Sequence, residues 1–248
     1  MPGTAFTRPS LGANSTLRWP LIQSRLDEVR PETILELGTG TGGVAVHLAS
    51  RARYVGVEPD ETSRVIAASR MANADARLVP DLADLASGEL FDLVCAFEVL
   101  EHIVDDAGTL SQWVEHVRPG GHVLVSVPAD PHRFGPWDEL VGHVRRYTID
   151  DLTKLLEVAG LEPIDVRYYG FPAGVALDIG YNWFARRRLA RSSTPTDLAD
   201  RTAQSGRNVQ LPESVRRVSW YAMAPFRLVQ RRYPDKGVGL VGFGRRPG

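Results

Sequence analysis

Between residues 33 and 127, short apolar runs alternate with stretches of helical periodicity, a pattern that few folds accept. TILELG (33–38), YVGVE (54–58), ARLVP (76–80), FDLVCAF (91–97) and GGHVLVSVP (120–128) read as strands. GGVAVHLASR, ETSRVIAASRMAN and DAGTLSQWVEHV, which fall among them, space their apolar residues as helices do. Strands joined through helices of this length lie parallel, and a parallel sheet needs helices on both faces. The chain is therefore predicted to be α/β. Farther on, Thr148 opens TIDDLTKLLEVAG as an N-cap and Gly160 closes it. PIDVRYYG and, near the C-terminus, GLVGFGR read as further strands. The roughly seventy residues between those two strands are too many for a connection. We expect a single domain over 1–248, with a core of about 15–168 plus 237–246 and a helical lid or cap over about 170–235. The N-terminal dozen residues and 191–208 are loop-like in composition.

With 248 residues, 43% of them hydrophobic, the chain can bury a full core. Its single cysteine, Cys95, lies inside an apolar run and reads as a small buried hydrophobe. The first thirty residues lack a signal-peptide h-region, and no window approaches the apolar length of a membrane span. These features predict a cytoplasmic protein. Charge is uneven: residues 1–167 hold 15 basic and 25 acidic side chains, and 168–248 hold 14 and 5. A basic flank of this kind either docks on the acidic body or meets an anionic partner.

ELGTGTGG (36–43) joins the first strand to the first helix and formally satisfies GxGxxG at Gly38, Gly40 and Gly43. Glu58 ends the second strand, so a dinucleotide reading, and with it an NAD-binding Rossmann oxidoreductase, is available. Glu36 weighs against it. A carboxylate in that position repels a pyrophosphate and attracts a ligand carrying an ammonium and a sulfonium.

ELGTGTG, VGVEPD, FDLVCAFEVLEHI and RPGGHVLVSVP, in this order and spacing, resemble the successive motifs of class I S-adenosylmethionine-dependent methyltransferases. The likeness covers about residues 30–170 and the final strand. It implies a Rossmann-like seven-stranded sheet in the order 3-2-1-4-5-7-6, the last strand antiparallel, with helices on both faces and a helical insertion before the last strand. It also implies that Gly38, Thr39, Gly40 and Gly42 surround the methionine part of the cofactor, with Glu36 near its amino group. Glu58 would hold both ribose hydroxyls, and Asp81, with Leu82 beside it, would face the adenine amino group, Asp84 being the alternative. Phe97 and Glu98 would touch the methionine moiety. GHVRRYT (142–148) resembles a bacterial group similar to the ubiquinone-biosynthesis O-methyltransferases, which implies a small hydroxylated substrate.

Glu98, Glu101 and His102 stand at i, i+3 and i+4, on one side if a helical turn begins there. Two carboxylates and an imidazole suit Mg²⁺ or Mn²⁺, although imidazole is an unusual Mg²⁺ ligand. The same ExxEH spelling resembles the metal site of the small-RNA 2′-O-methyltransferases and that of the ubiquinone enzymes, with His143 as the later ligand. In many similar enzymes the motif holds no metal, the glutamate supporting the cofactor loop and the histidine capping or packing. His102, His132 or His143 is then a candidate general base. Arg145 and Arg146 either grip an anionic group on the substrate or pair with Asp138, Glu139, Asp150 or Asp151 to fix the loop. Trp19 and Trp137 are candidate pocket walls or core.

The expected activity is methyl transfer from S-adenosylmethionine to an oxygen or nitrogen of a small molecule, in bacterial secondary or cofactor metabolism. RNA 2′-O-methylation is an alternative that the acidic N-terminal two-thirds disfavours. For the arginine- and aromatic-rich insertion, the favoured reading is a lid whose arginines face solvent or pair across a homodimer. Peripheral contact with anionic lipid comes second, and contact with nucleic acid last.

Overall fold

A computed structural model describes residues 11–190 and 223–248. Seven strands form one sheet: β1 (Thr33–Leu37), β2 (Arg53–Val57), β3 (Ala76–Val79), β4 (Phe91–Phe97), β5 (Val117–Pro128), β6 (Ile164–Gly170) and β7 (Gly237–Arg245). Their order is β3-β2-β1-β4-β5-β7-β6. The first five run parallel, and β7 is antiparallel to both its neighbours. The expected topology is therefore present, with GLVGFGR inside β7.

Eight helices accompany the sheet among the described residues: α1 (Ala13–Val29), α2 (Ala45–Ala49), α3 (Glu61–Arg70), α4 (Asp106–Glu115), α5 (Pro136–Val141), α6 (Ile149–Val158), α7 (Ala173–Leu189) and α8 (Ala224–Arg232). Successive residues of a strand face opposite sides, which divides the core in two. Val94 and Ala96 meet Leu110 and Trp113 of α4 and Leu152 and Leu156 of α6. Leu93 and Cys95 meet Trp19, Ile22 and Leu26 of α1 and Leu48 of α2. Cys95 is buried as a small hydrophobe, and Trp19 belongs to the core.

Local chemistry sets the ends of the elements. The Thr148 hydroxyl accepts the Asp151 amide at 3.1 Å while Asp151 accepts the Thr148 amide at 2.9 Å, a reciprocal cap that starts α6. Gly160 follows α6 with φ +78°. α2 begins only at Ala45, because Gly40 and Gly42 before it take positive φ angles that no helix accommodates. α7 carries the DIGYNWFARRRLA patch, and α8 carries the end of the second basic patch. The first part of that patch and the loop-like segment 191–208 lie outside the described residues. No helix among the described residues is long and apolar enough to cross a membrane.

Candidate active site

The carboxyl ends of β1, β2, β3 and β4 deliver their following loops to one edge of the sheet, where an open α/β fold takes its ligands. The glycine loop is pinned there by the Gly38 and Thr39 amides, which donate to the Val57 carbonyl at 2.9 and 3.1 Å. Gly38 has φ +74°, and a Cβ on it would stand 2.6 Å from Val99 Cγ2. Gly42 has φ +80°, and its Cβ would meet the Ala67 backbone at 3.1 Å. Gly43 has no such constraint and open space around it. The geometry thus requires glycine at 38 and 42 and does not require it at 43, the third position of the dinucleotide spelling.

Glu36 lies buried on β1 just before this loop, accepting the Tyr54 hydroxyl at 2.5 Å, and Thr39 Oγ1 sits 3.0 Å from that hydroxyl. Burial, opposed only in part by the Tyr54 hydrogen bond, pushes its carboxyl up to about 8. Glu58 spreads its two oxygens between the Gly40 amide at 2.7 Å and the Asp60 amide at 3.0 Å. Its pKa is also raised, burial outweighing both hydrogen bonds. Asp81 is exposed at the exit of β3 and caps a short 3-10 turn (Leu82–Asp84) through the Ala83 amide, and Leu82 is half-buried against the core.

Phe97 closes β4 and Glu98 follows it in the left-handed region, φ +61°. The helical turn that would put Glu98 beside Glu101 therefore does not form; a 3-10 turn covers only Leu100–His102. Glu98 instead receives Ser126 Oγ at 2.9 Å, the Tyr169 hydroxyl at 3.1 Å and Arg18 at 3.1 Å. Arg18, from α1, lies over the Phe97 ring at 5.5 Å, is buried, and its Nε has no acceptor. Sequence reasoning missed Arg18. The available signal was an arginine on the stripe Leu17, Trp19, Ile22, Leu26.

Glu101, His102 and His143 do converge, each offering a ligand-type atom within 4.8 Å of the other two. Glu98 is outside this group. Glu101 is fully buried and neither of its oxygens accepts a hydrogen bond. Burial, and next the charge of Glu98, push its pKa well above the carboxylate range. His102 donates Nδ1–H to the Gly142 carbonyl at 3.0 Å, and burial together with His143 lowers it to about 4. His143 donates Nδ1–H to Asp138 at 2.7 Å and holds Nε2 3.7 Å from Glu101 Oε1. Burial works to raise the Asp138 pKa, yet His143 and Arg146 hold it below the usual range. His132 is exposed on the turn Pro131–Arg133, apart from this group.

Both arginines of the RRY segment are engaged within the chain. Arg146 grips Asp138 with Nε and NH2 at 2.9 and 2.8 Å and reaches Asp178 of α7 at 3.1 Å. Arg145 pairs with Asp106 at 2.8 Å, a partner the sequence did not suggest. Trp137 stacks on Tyr181 of α7 at 4.7 Å, and its amide donates to Asn182.

Residues 17–166 match the family model described as a methyltransferase domain. The chain belongs to this methyltransferase family. Over 149 residues it is 36% identical to a Mycolicibacterium smegmatis protein named "probable S-adenosylmethionine-dependent methyltransferase", covering 58% of this chain and 57% of that one. Over 150 residues it is 35% identical to the ubiquinone biosynthesis O-methyltransferase of Dinoroseobacter shibae, covering 53% and 60%. The matches thus span less than two thirds of these relatives' length. An S-adenosylmethionine-dependent methyltransferase from Mesorhizobium loti shares the fold, with a TM-score of 0.57 at 18% identity over 95% of this chain and all of that one. The methyltransferase match runs from α1 into β6, so it contains Arg18, the glycine loop, Glu58, Asp81 and the Glu101 group, whereas α7 and α8 lie beyond it.

Proposed function

We propose that this methyltransferase moves the methyl group of S-adenosylmethionine to a hydroxyl oxygen of a small molecule, with nitrogen as the less favoured acceptor. The observation that carries the choice of oxygen is the Glu101 group: two imidazoles with Nδ1–H committed to Gly142 and Asp138 stand beside a buried carboxyl group that has no hydrogen-bond partner. In each imidazole the Nδ1 hydrogen bond leaves Nε2 as the basic nitrogen. Such a set suits a hydroxylated substrate, which must lose a proton. The name of the Dinoroseobacter relative supports the same reading.

Glu36, Gly38, Thr39, Gly40 and Gly42 would cradle the methionine part of the cofactor, with Arg18, Phe97 and Glu98 along its other side. Glu58 would accept the ribose hydroxyls with the lone pairs that the Gly40 and Asp60 amides leave open. Asp81 and Leu82 would border the adenine. The acceptor oxygen attacks the methyl carbon in line, the C–S bond breaks, the C–O bond forms and the hydroxyl proton is given up. Charge is dispersed in this step, so alignment and exclusion of water are the main demands, and α7 would act as the cap that supplies them.

Glu101, His102 and His143 fit a divalent ion of the Mn²⁺ type, since ligating imidazoles normally donate their other N–H to a carboxylate or carbonyl. Bound there, it would lower the pKa of a substrate hydroxyl. The Asp138–His143 pair favours a second reading without metal, in which His143 Nε2 takes the proton and Asp138 steadies the imidazolium.

Calorimetry of metal-stripped protein saturated with S-adenosylhomocysteine separates them. Saturable Mn²⁺ binding that the Glu101→Ala, His102→Ala variant loses is the expected result. Absence of metal binding with activity abolished by His143→Gln would move the assignment to the histidine base. Methyl transfer to amines but to no catechol or other hydroxylated acceptor would overturn the oxygen assignment.

A further inference from the structure

α7 is apolar on two sides. Its inner side is accounted for: Ala173, Gly174 and Ala185 are buried, Asp178 takes Arg133 and Arg146, and Asn182 takes the Trp137 amide. Its outer side carries Ile179, Trp183 and Phe184, which are 65, 57 and 46% exposed. Ile179 and Trp183 stand one turn apart on the same stripe, with Arg187 one turn farther, its guanidinium 3.6 Å from the centre of the Trp183 ring. Arg186 and Arg188 flank it, exposed, and none of the three pairs with an acidic side chain among the described residues. A helix apolar on both sides calls for a covering surface on the second.

We propose that the outer side of α7 is a contact site for an anionic lipid surface. The charge decides among the occupants. A second copy of this chain meeting α7 with its own α7 would bring three more arginines against these three, and a copy meeting it with the acidic body would bring charged rather than apolar surface to Ile179 and Trp183. Residues 191–222 hold five basic and three acidic side chains, so that segment has no acidic surplus with which to neutralise them. Nucleic acid would meet the arginines but would leave Ile179 without an apolar partner. A leaflet of acidic phospholipid offers phosphate to the guanidinium groups and a headgroup–acyl boundary to Trp183, Phe184 and Ile179. The inner side of the same helix holds Arg146 and, through Asp138, the His143 loop, so a docked α7 would set the candidate active site against the membrane surface.

The test is co-sedimentation of the full chain with vesicles of phosphatidylcholine alone and of phosphatidylcholine mixed with phosphatidylglycerol, with intrinsic fluorescence read on the same samples. Binding to the anionic vesicles should be on the order of 100-fold tighter, as about fivefold for each of the three arginines implies. Arg186→Gln, Arg187→Gln, Arg188→Gln should erase that preference. Trp183→Ser should weaken binding and remove a vesicle-induced blue shift present in the wild type. Affinity for S-adenosylhomocysteine in each variant verifies that the fold is kept. Equal binding to both vesicle types, or to neither, overturns the proposal. So does a dimer that Trp183→Ser disperses, or RNA binding by a protein that ignores anionic vesicles.

Discussion

At the scale of single residues, the glycine loop gives the sharpest test. Gly38→Ala forces a side chain into a left-handed position, which costs roughly 1–2 kcal/mol before the contact with Val99 is counted. Cofactor affinity should therefore collapse and the melting temperature fall. Gly43→Ala, with open space around it, should leave both nearly unchanged. Calorimetry with S-adenosylhomocysteine on the two variants checks this, and equal losses would mean that the loop takes another path. Glu36 offers a pH test. Its carboxyl rises from the ordinary 4.5 to about 8 in the fold, so the folded state holds the extra proton between those values. The stability that the proton contributes is complete below pH 4.5, declines as pH rises, and is gone above about pH 8. Glu36→Gln should flatten this slope, outlasting the wild type by up to a few kcal/mol in urea above pH 8 and matching it near pH 4.5. A variant that tracks the wild type at both ends would show that Glu36 is ionised in the fold. The placement of Glu36 and Glu58 beside the glycine loop could be anticipated because each stands at or next to the carboxyl end of its strand, β1 or β2. The turning away of Glu98 could not, since the partners it meets there, Ser126, Tyr169 and Arg18, come from distant parts of the chain.

At the scale of elements, what could be read depended on whether the signal was local. β4 coincides with its apolar run because a strand buried on both faces needs one, and α6 starts at Thr148 because its cap is built from neighbours in sequence. α5 and the 3-10 turn at Leu100 are too short for periodicity to report, although Pro136 and the left-handed Gly142 mark the two ends of α5. α6 can be tested through its cap. Thr148→Ala removes the acceptor for the Asp151 amide and should cost about 1 kcal/mol. For a chain of this size that is a fall of about 2–4 °C in melting temperature, with cofactor affinity unchanged. Thr148→Ser should recover most of it. A loss of cofactor binding in Thr148→Ala would instead mean that α6 shapes the site directly.

At the scale of the whole molecule, the candidate cofactor site lies where both halves of the core meet. β1 carries Glu36 between Leu35 and Leu37, which face one core, and follows Ile34, which faces the other. The loop after β1 hangs on β2, and Arg18 brings in α1. A ligand bound there would meet the loops that follow β1, β2 and β4, so its binding free energy should add to the stability of the entire fold. At a hundred times its dissociation constant, S-adenosylhomocysteine should contribute about 2.7 kcal/mol, which raises the melting temperature by about 5–10 °C. NADH at the same concentration should add nothing, because the loop requires glycine at 38 and 42 but not at 43, the third position of the dinucleotide spelling. Glu58→Ala should lose most of the shift while its ligand-free melting stays close to that of the wild type, since the amides of Gly40 and Asp60 can turn to water at the sheet edge. A shift with NADH equal to that with S-adenosylhomocysteine would refute the cofactor site proposed for this loop without touching the fold. A shift that survives Glu58→Ala would keep the cofactor and move the ribose contact to another side chain.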